Sequence, residues 1–199
     1  DGKAWQQVAV PHDWAISGPF DKKWDLQMVA IEQNGETEKT EKSGRSGALP
    51  WIGEGMYKMN WTAPKGYKRA VLVFDGAMSQ PVVSVNGKEA GRWAYGYNAF
   101  RIDITPFIQF GKSNLIEVHL NNVEESSRWY PGGGLYRPVS VELYGNENFS
   151  TWDTFVRTLK ADKQEAEVEV NALLEGKTGK SGKTVIALLD EAGKKVAEQ

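Results

Sequence analysis

The chain contains no cysteine, which removes disulfides, thiol catalysis and thiolate metal sites together and suits either redox compartment equally well. Only two histidines are present, His12 and His119; they are far apart in sequence and poorly accompanied for a metal cluster or a catalytic triad. Cationic excess is lacking as well. With 24 basic and 26 acidic residues the net charge is -2, and no surface is supplied that could displace counterions from a phosphate backbone, so nucleic acid is set aside. The longest apolar stretches, such as residues 70–74, fall far below the roughly 18 to 20 residues of a helical membrane span, and no membrane partner is expected. An initiator Met and an apolar leader are missing before Asp1, and no closing element precedes Gln199, so the sequence is expected to be a piece of a longer polypeptide. Helical periodicity is nearly absent, which points away from every fold that needs long helices.

What is present is period two. Hydrophobic residues at 40% and charged residues at 25% sit near the averages of globular proteins, and 199 residues hold one full domain and part of another. Alternating or apolar runs predict strands over residues 56–61, 69–74, 81–85, 99–104, 114–121 and 138–144, in the manner of a sandwich or jelly roll. Asn86-Gly87, between two such runs, predicts a tight hairpin because a type I′ turn needs positive φ at both central residues. One helical turn fits within residues 103–110. Residues 32–47 are rich in Glu, Lys, Thr, Ser and Gly and read as a long surface loop. After residues 145–148 the pattern changes, with strands expected over 152–159, 165–174 and 184–189. A boundary near Asn146 divides residues 1–146, a jelly-roll domain, from residues 147–199, an incomplete immunoglobulin-like sandwich.

Catalytic chemistry does not announce itself. Pro131-Gly132-Gly133-Gly134 lacks the Lys-Ser or Lys-Thr and the helix of a phosphate loop, and reads as a turn. Glycosidic hydrolysis needs two carboxylates a few ångströms apart, and no pair stands out among carboxylates that mostly alternate on strands or fill turns. Two segments do stand out. In Val10-Pro11-His12-Asp13-Trp14 a strand ends at proline with a polar pair beside Trp; the commoner role of such a pair is to satisfy backbone groups at a buried corner, and substrate contact is the alternative. In residues 120–137 a strand ends in Asn121-Asn122, a polar loop presents Arg128-Trp129-Tyr130, and the glycine turn starts the next strand. Amide and guanidinium donors next to aromatic rings are what a sugar subsite requires. An aromatic plug, with Arg137 paired to a carboxylate at the core edge, fits the same residues. The chain's 8 Trp, 7 Tyr and 7 Phe serve either use.

These segments resemble the amino-terminal domain of glycoside hydrolase family 2. Pro11-His12-Asp13-Trp14, Gly55-Met56-Tyr57-Lys58, Phe74-Asp75-Gly76, Val83-Ser84-Val85-Asn86-Gly87 with Gly91, residues 100–105 and residues 122–137 follow the family's motifs in order, from residue 5 to residue 143. The resemblance implies a jelly roll, then an immunoglobulin-like domain, then a (β/α)₈ barrel that carries both catalytic glutamates. That barrel is not in this sequence, so no residue here is assigned a catalytic role, and neither metal nor cofactor is implied. The resemblance further implies that a loop of the first domain reaches the terminal sugar, with Asn122 as the matching position and Arg128 and Trp129 beside it. A β-galactosidase is expected, with β-glucuronidase, β-mannosidase or an autonomous carbohydrate-binding module as alternatives. The expected partners are a carbohydrate and the barrel of the same polypeptide. The polar insertion at residues 32–47 departs from the family pattern.

Overall fold

A computed structural model describes residues 5–16, 19–21, 51, 53–123, 131–176 and 183–199, and the backbone of residues 26–30 and 39–43. The chain forms two compact units, Asp1–Gly145 and Asn146–Gln199. Among the described residues there is no α-helix, as the missing helical periodicity predicts.

Among its described residues the first unit contains nine strands: β1 (Leu26–Ala30), β2 (Lys39–Ser43), β3 (Glu54–Thr62), β4 (Arg69–Phe74), β5 (Val82–Val85), β6 (Lys88–Arg92), β7 (Phe100–Asp103), β8 (Ser113–Asn121) and β9 (Val139–Tyr144). A four-stranded sheet in the order β3-β8-β5-β6 and a three-stranded sheet in the order β7-β4-β9 are antiparallel throughout. Their inner faces share one core, a jelly-roll-type β-sandwich. Alternation decides which residues enter it: along β8, Asn114, Ile116, Val118 and Leu120 are buried while the residues between them are not. Leu72 and Phe74 of β4 meet Phe100 and Ile102 of β7, with the Phe74 and Phe100 rings stacked 4.6 Å apart. Each such side chain contributes about 1.5 to 3 kcal/mol when fully buried, which is why the apolar stripes govern the register.

At the β5–β6 turn, Asn86 and Gly87 adopt φ of 52° and 77°, the left-handed pair that a type I′ hairpin requires. Asn86 also ties the hairpin down. Its Nδ2 donates to the Phe107 carbonyl at 2.8 Å and to Asn114 Oδ1 at 3.0 Å, and its Oδ1 accepts from Leu115 N at 3.0 Å. The helical turn expected within residues 103–110 is a 3₁₀ turn, Thr105–Phe107.

One expectation is corrected. Within the stretch read as a surface loop, Lys39–Ser43 is a strand, paired antiparallel with Leu26–Ala30. A ladder of backbone bonds asks only for extended chain, and Lys-Thr-Glu-Lys-Ser carries no period-two apolar signal to announce it. The remainder of residues 32–47 lies outside the described residues.

The second unit contains β10 (Glu147–Phe149), β11 (Phe155–Ala161), β12 (Ala166–Asn171), β13 (Leu174–Gly176), β14 (Ala187–Leu189) and β15 (Lys195–Glu198). They pair as β10-β13, β11-β12 and β14-β15. The run expected as one strand over 165–174 holds β12 and the first residue of β13, which have different partners, and residues at the expected boundary supply β10. Carboxylates make its turns: Asp162 Oδ1 accepts from Gln164 N and Glu165 N at 2.8 and 2.9 Å, and Asp190 Oδ1 from Ala192 N and Lys194 N at 3.0 and 2.9 Å.

Candidate functional site

The two segments singled out in the sequence meet. The glycine turn is seated by a two-way backbone bridge, Met78 N to Gly134 O and Gly134 N to Met78 O, both 3.0 Å. From the other side, His12 N donates to Leu135 O at 2.7 Å. Asp13 holds both segments: its Oδ1 accepts from Ala15 N at 3.0 Å and its Oδ2 from Gly133 N at 3.2 Å. Asp13 thus serves backbone groups at this partly buried corner, whereas the His12 ring meets the Tyr57 hydroxyl. Between them stands Tyr57 of β3, whose hydroxyl donates to the His12 carbonyl at 3.2 Å, accepts from Leu135 N at 3.3 Å and lies 2.9 Å from His12 Nδ1. Burial pushes its phenol up to about 12.

Glycine is required at the contact. At Gly134 φ is 83°, and a Cβ there would lie 2.2 Å from Tyr57 Oη and 2.8 Å from the His12 carbonyl. Trp14 fills the space beside it, stacked on Tyr57 at 6.1 Å and tilted against Trp51 at 5.9 Å.

Asn122 lies at the end of β8, 1% exposed. Its backbone N–H donates to Gly53 O at 3.0 Å and its Nδ2 to Gly132 O at 2.9 Å. The side chain therefore ties the strand end to the glycine turn ten residues later. Its Oδ1, and the Nε1 of Trp14, are buried with no hydrogen-bond partner among the described residues. A buried polar group without a partner costs about 1 to 3 kcal/mol. Arg128 and Trp129 lie outside the described residues.

Arg137 donates to the carbonyls of Asp75 and Tyr97 at 3.3 and 3.2 Å, in place of the carboxylate the sequence suggested. His119 faces outward on β8 with Nε2 3.3 Å from Glu54 Oε2. Among the described residues no three His, Asp or Glu side chains gather as metal ligands. Sequence reasoning did not single out Tyr57 or Gly53 as parts of the corner. Alternation placed Tyr57 on a strand, but its hydroxyl's partners are 45 and 78 positions away, beyond any local pattern.

No protein-family profile matches the chain. A β-galactosidase of Bacteroides ovatus, BoGH2A, is 31% identical over 199 residues, covering 98% of this chain and 21% of that protein. A β-glucuronidase of Formosa agariphila is 24% identical over 218 residues, covering 97% of this chain and 21% of its own length. Among solved structures, a glycosyl hydrolase family 2 member from Bacteroides cellulosilyticus matches with a TM-score of 0.75 and 30% identity, over 100% of this chain and 25% of that one. The chain spans about one fifth of the length of these curated relatives.

Proposed function

We propose a role from the premise that this chain belongs to glycoside hydrolase family 2: it is the non-catalytic, sugar-facing amino-terminal part of a glycosidase that removes terminal β-galactosyl residues. The first unit supplies a loop to the sugar subsite of a barrel carried elsewhere in the same polypeptide, and the second unit belongs to an immunoglobulin-like sandwich. The reading is supported by the clamped glycine turn. Gly132, Gly133, Gly134 and Leu135 are bonded to Asn122, Asp13, Met78, His12 and Tyr57. Fixing both ends of a loop narrows the conformations open to it, and a misplacement of about 1 Å at a substrate contact can cost a hundredfold in rate. Arg128 and Trp129 lie in the segment between those ends and bring guanidinium donors and an indole face, the chemistry that binds sugar hydroxyls and pyranose faces. Asn122 joins them through its Oδ1, which has no partner among the described residues and can accept from a sugar hydroxyl or from the loop itself. A β-glucuronide is the second reading, favoured by the β-glucuronidase relative that covers as much of this chain.

The test uses the full polypeptide that carries this chain, assayed on aryl β-galactoside, β-glucuronide and β-mannoside. Arg128→Ala and Trp129→Ala are expected to lower kcat/KM roughly threefold to a hundredfold at unchanged Tm, with the galactoside preferred. The 199-residue chain alone is expected to turn over none of them. Turnover by the chain alone that disappears on substituting one of its own carboxylates, or loop variants with unaltered kcat/KM, overturns the reading.

A further inference from the structure

Between β6 and β7 the chain runs Trp93-Ala94-Tyr95-Gly96-Tyr97-Asn98, with no charged residue and with Trp93, Tyr95 and Tyr97 exposed by 41%, 59% and 38%. The loop is tied to the chain around it. Trp93 N donates to Pro81 O at 3.0 Å and Trp93 Nε1 to Asn98 Oδ1 at 2.9 Å. Tyr136 Oη donates to Gly96 O at 2.9 Å, and Arg137 Nη1 to Tyr97 O at 3.2 Å. Gly96 is pressed so closely onto the chain beneath that a Cβ there would lie 2.5 Å from Met78 Sδ and 3.2 Å from the Ala77 carbonyl. One face of Trp93 is stacked on the core residue Phe100 at 5.6 Å and 9°, so the ring is held flat. Tyr95 and Tyr97 stand 5.6 Å apart with their rings tilted by 59°.

The loop is also continuous with the site already described. Tyr136 and Arg137, which hold it, follow the glycine turn directly, and Met78, beneath Gly96, is the residue bridged to Gly134. The platform is too small to be a subunit interface: three half-exposed rings of about 150 to 250 Å² each offer roughly 300 Å², against about 800 Å² per partner in a stable complex. The guanidinium groups near it are engaged, Arg137 with carbonyls and Arg92 with Glu89 at 2.8 Å. That favours a neutral ligand over an acidic one.

We propose that residues 93–98 form a second carbohydrate platform, on which a neutral β-linked oligosaccharide stacks its pyranose faces against Tyr95 and its neighbouring rings. Resting on the family 2 reading above, it takes sugar units beyond the terminal residue addressed by the clamped loop. The substrate class is then an oligosaccharide or polysaccharide in preference to a simple glycoside.

Tyr95 is the position to test, because its exposure spares the fold. The full polypeptide carrying this chain is run as wild type, Tyr95→Ala, Tyr95→Gln and Tyr95→Phe in native gels cast with β-1,4-galactan, and each form is assayed on an aryl β-galactoside and on β-1,4-galactotetraose. The expected result is galactan retardation in wild type and Tyr95→Phe, loss of retardation in the Ala and Gln variants, and a roughly threefold to tenfold higher KM for the tetraose. The aryl galactoside KM is expected to stay unchanged. Equal retardation of all four forms, no retardation of wild type, or a changed oligomeric state without a changed tetraose KM overturns the platform. Absence of aryl glycoside hydrolysis in every form would instead overturn the family 2 activity, while Tyr95-dependent retardation would still uphold the platform.

Discussion

Replacing Gly134 by Ala tests the corner at its tightest contact. A side chain at φ of 83° is strained whatever the space, by about 1 to 2 kcal/mol. The added Cβ would lie 2.2 Å from Tyr57 Oη and 2.8 Å from the His12 carbonyl, against an ordinary contact of about 3.5 Å. Moving Tyr57 alone does not relieve this, because the second obstacle is backbone, itself held by the bond from His12 N to Leu135 O at 2.7 Å. Displacing the tyrosine strips Leu135 N of its partner at a residue only 4% exposed, a further loss of about 1 to 3 kcal/mol. The sum is about 2 to 5 kcal/mol, a large part of the roughly 5 to 15 kcal/mol that holds a domain, and Tm should fall by on the order of 5 to 20 °C. Urea unfolding followed by tryptophan fluorescence measures it. Tyr57→Phe removes the atom nearest the new Cβ and also strips Leu135 N, so the two losses overlap. The double variant should therefore be more stable than the sum of the single effects by about 1 to 3 kcal/mol. Additivity within about 0.5 kcal/mol, or a Gly134→Ala variant as stable as wild type, would refute the packing argument.

Asn122→Ala frees the Gly132 carbonyl from its 2.9 Å bond and should lower Tm by roughly 3 to 8 °C, together with a fall in kcat/KM of the full enzyme; an unchanged kcat/KM would detach Asn122 from the site. Tyr57, its phenol raised to about 12 by burial, lends stability that is complete below the ordinary tyrosine value of about 10 and lost as pH rises through about 12. Burial raises Tyr136 as well, so a 295 nm titration should show more than one late-ionising tyrosine, with the Tyr57 contribution absent from Tyr57→Phe. Glu142 is held below the usual carboxylate range, chiefly by its hydrogen bonds with Arg101 and, against some desolvation, with Tyr144. Its contribution is present above the unfolded value of about 4.3 and lost as pH falls through the lowered one. Glu142→Gln should flatten the acid limb of the stability profile, by about 0.5 to 1 kcal/mol because the carboxylate is partly exposed.

The sandwich was legible where the physics is local. Asn86-Gly87 names its own turn because few residues tolerate two positive φ angles, and the alternation of Ile116, Val118 and Leu120 declares the inner face of β8 without reference to any partner. The strand at Lys39–Ser43 and the pairs β10-β13 and β14-β15 were not legible, since polar or short segments can join a ladder with no apolar stripe to show for it. The candidate site was half legible. Residue chemistry picked out the His12-Asp13 corner and the residues after Asn121, yet nothing in either segment says that Asp13 bonds Gly133, 120 positions away, or that Asn122 turns its amide inward to Gly132. Long-range hydrogen bonds follow from the closed sandwich and leave no periodic trace.

On the function proposed above, the loop held by this corner reaches the terminal sugar of the substrate. A crystal structure of the full polypeptide, soaked with galactose, tests this. The expected result is at least one galactose hydroxyl within about 3.2 Å of a polar atom of Asn122 or Arg128, or the pyranose face against Trp129, with the glycine turn still bonded to Asn122 and Asp13. A galactose seated in a barrel with every atom of residues 122–136 beyond about 6 Å, outside the reach of one bridging water, would contradict it.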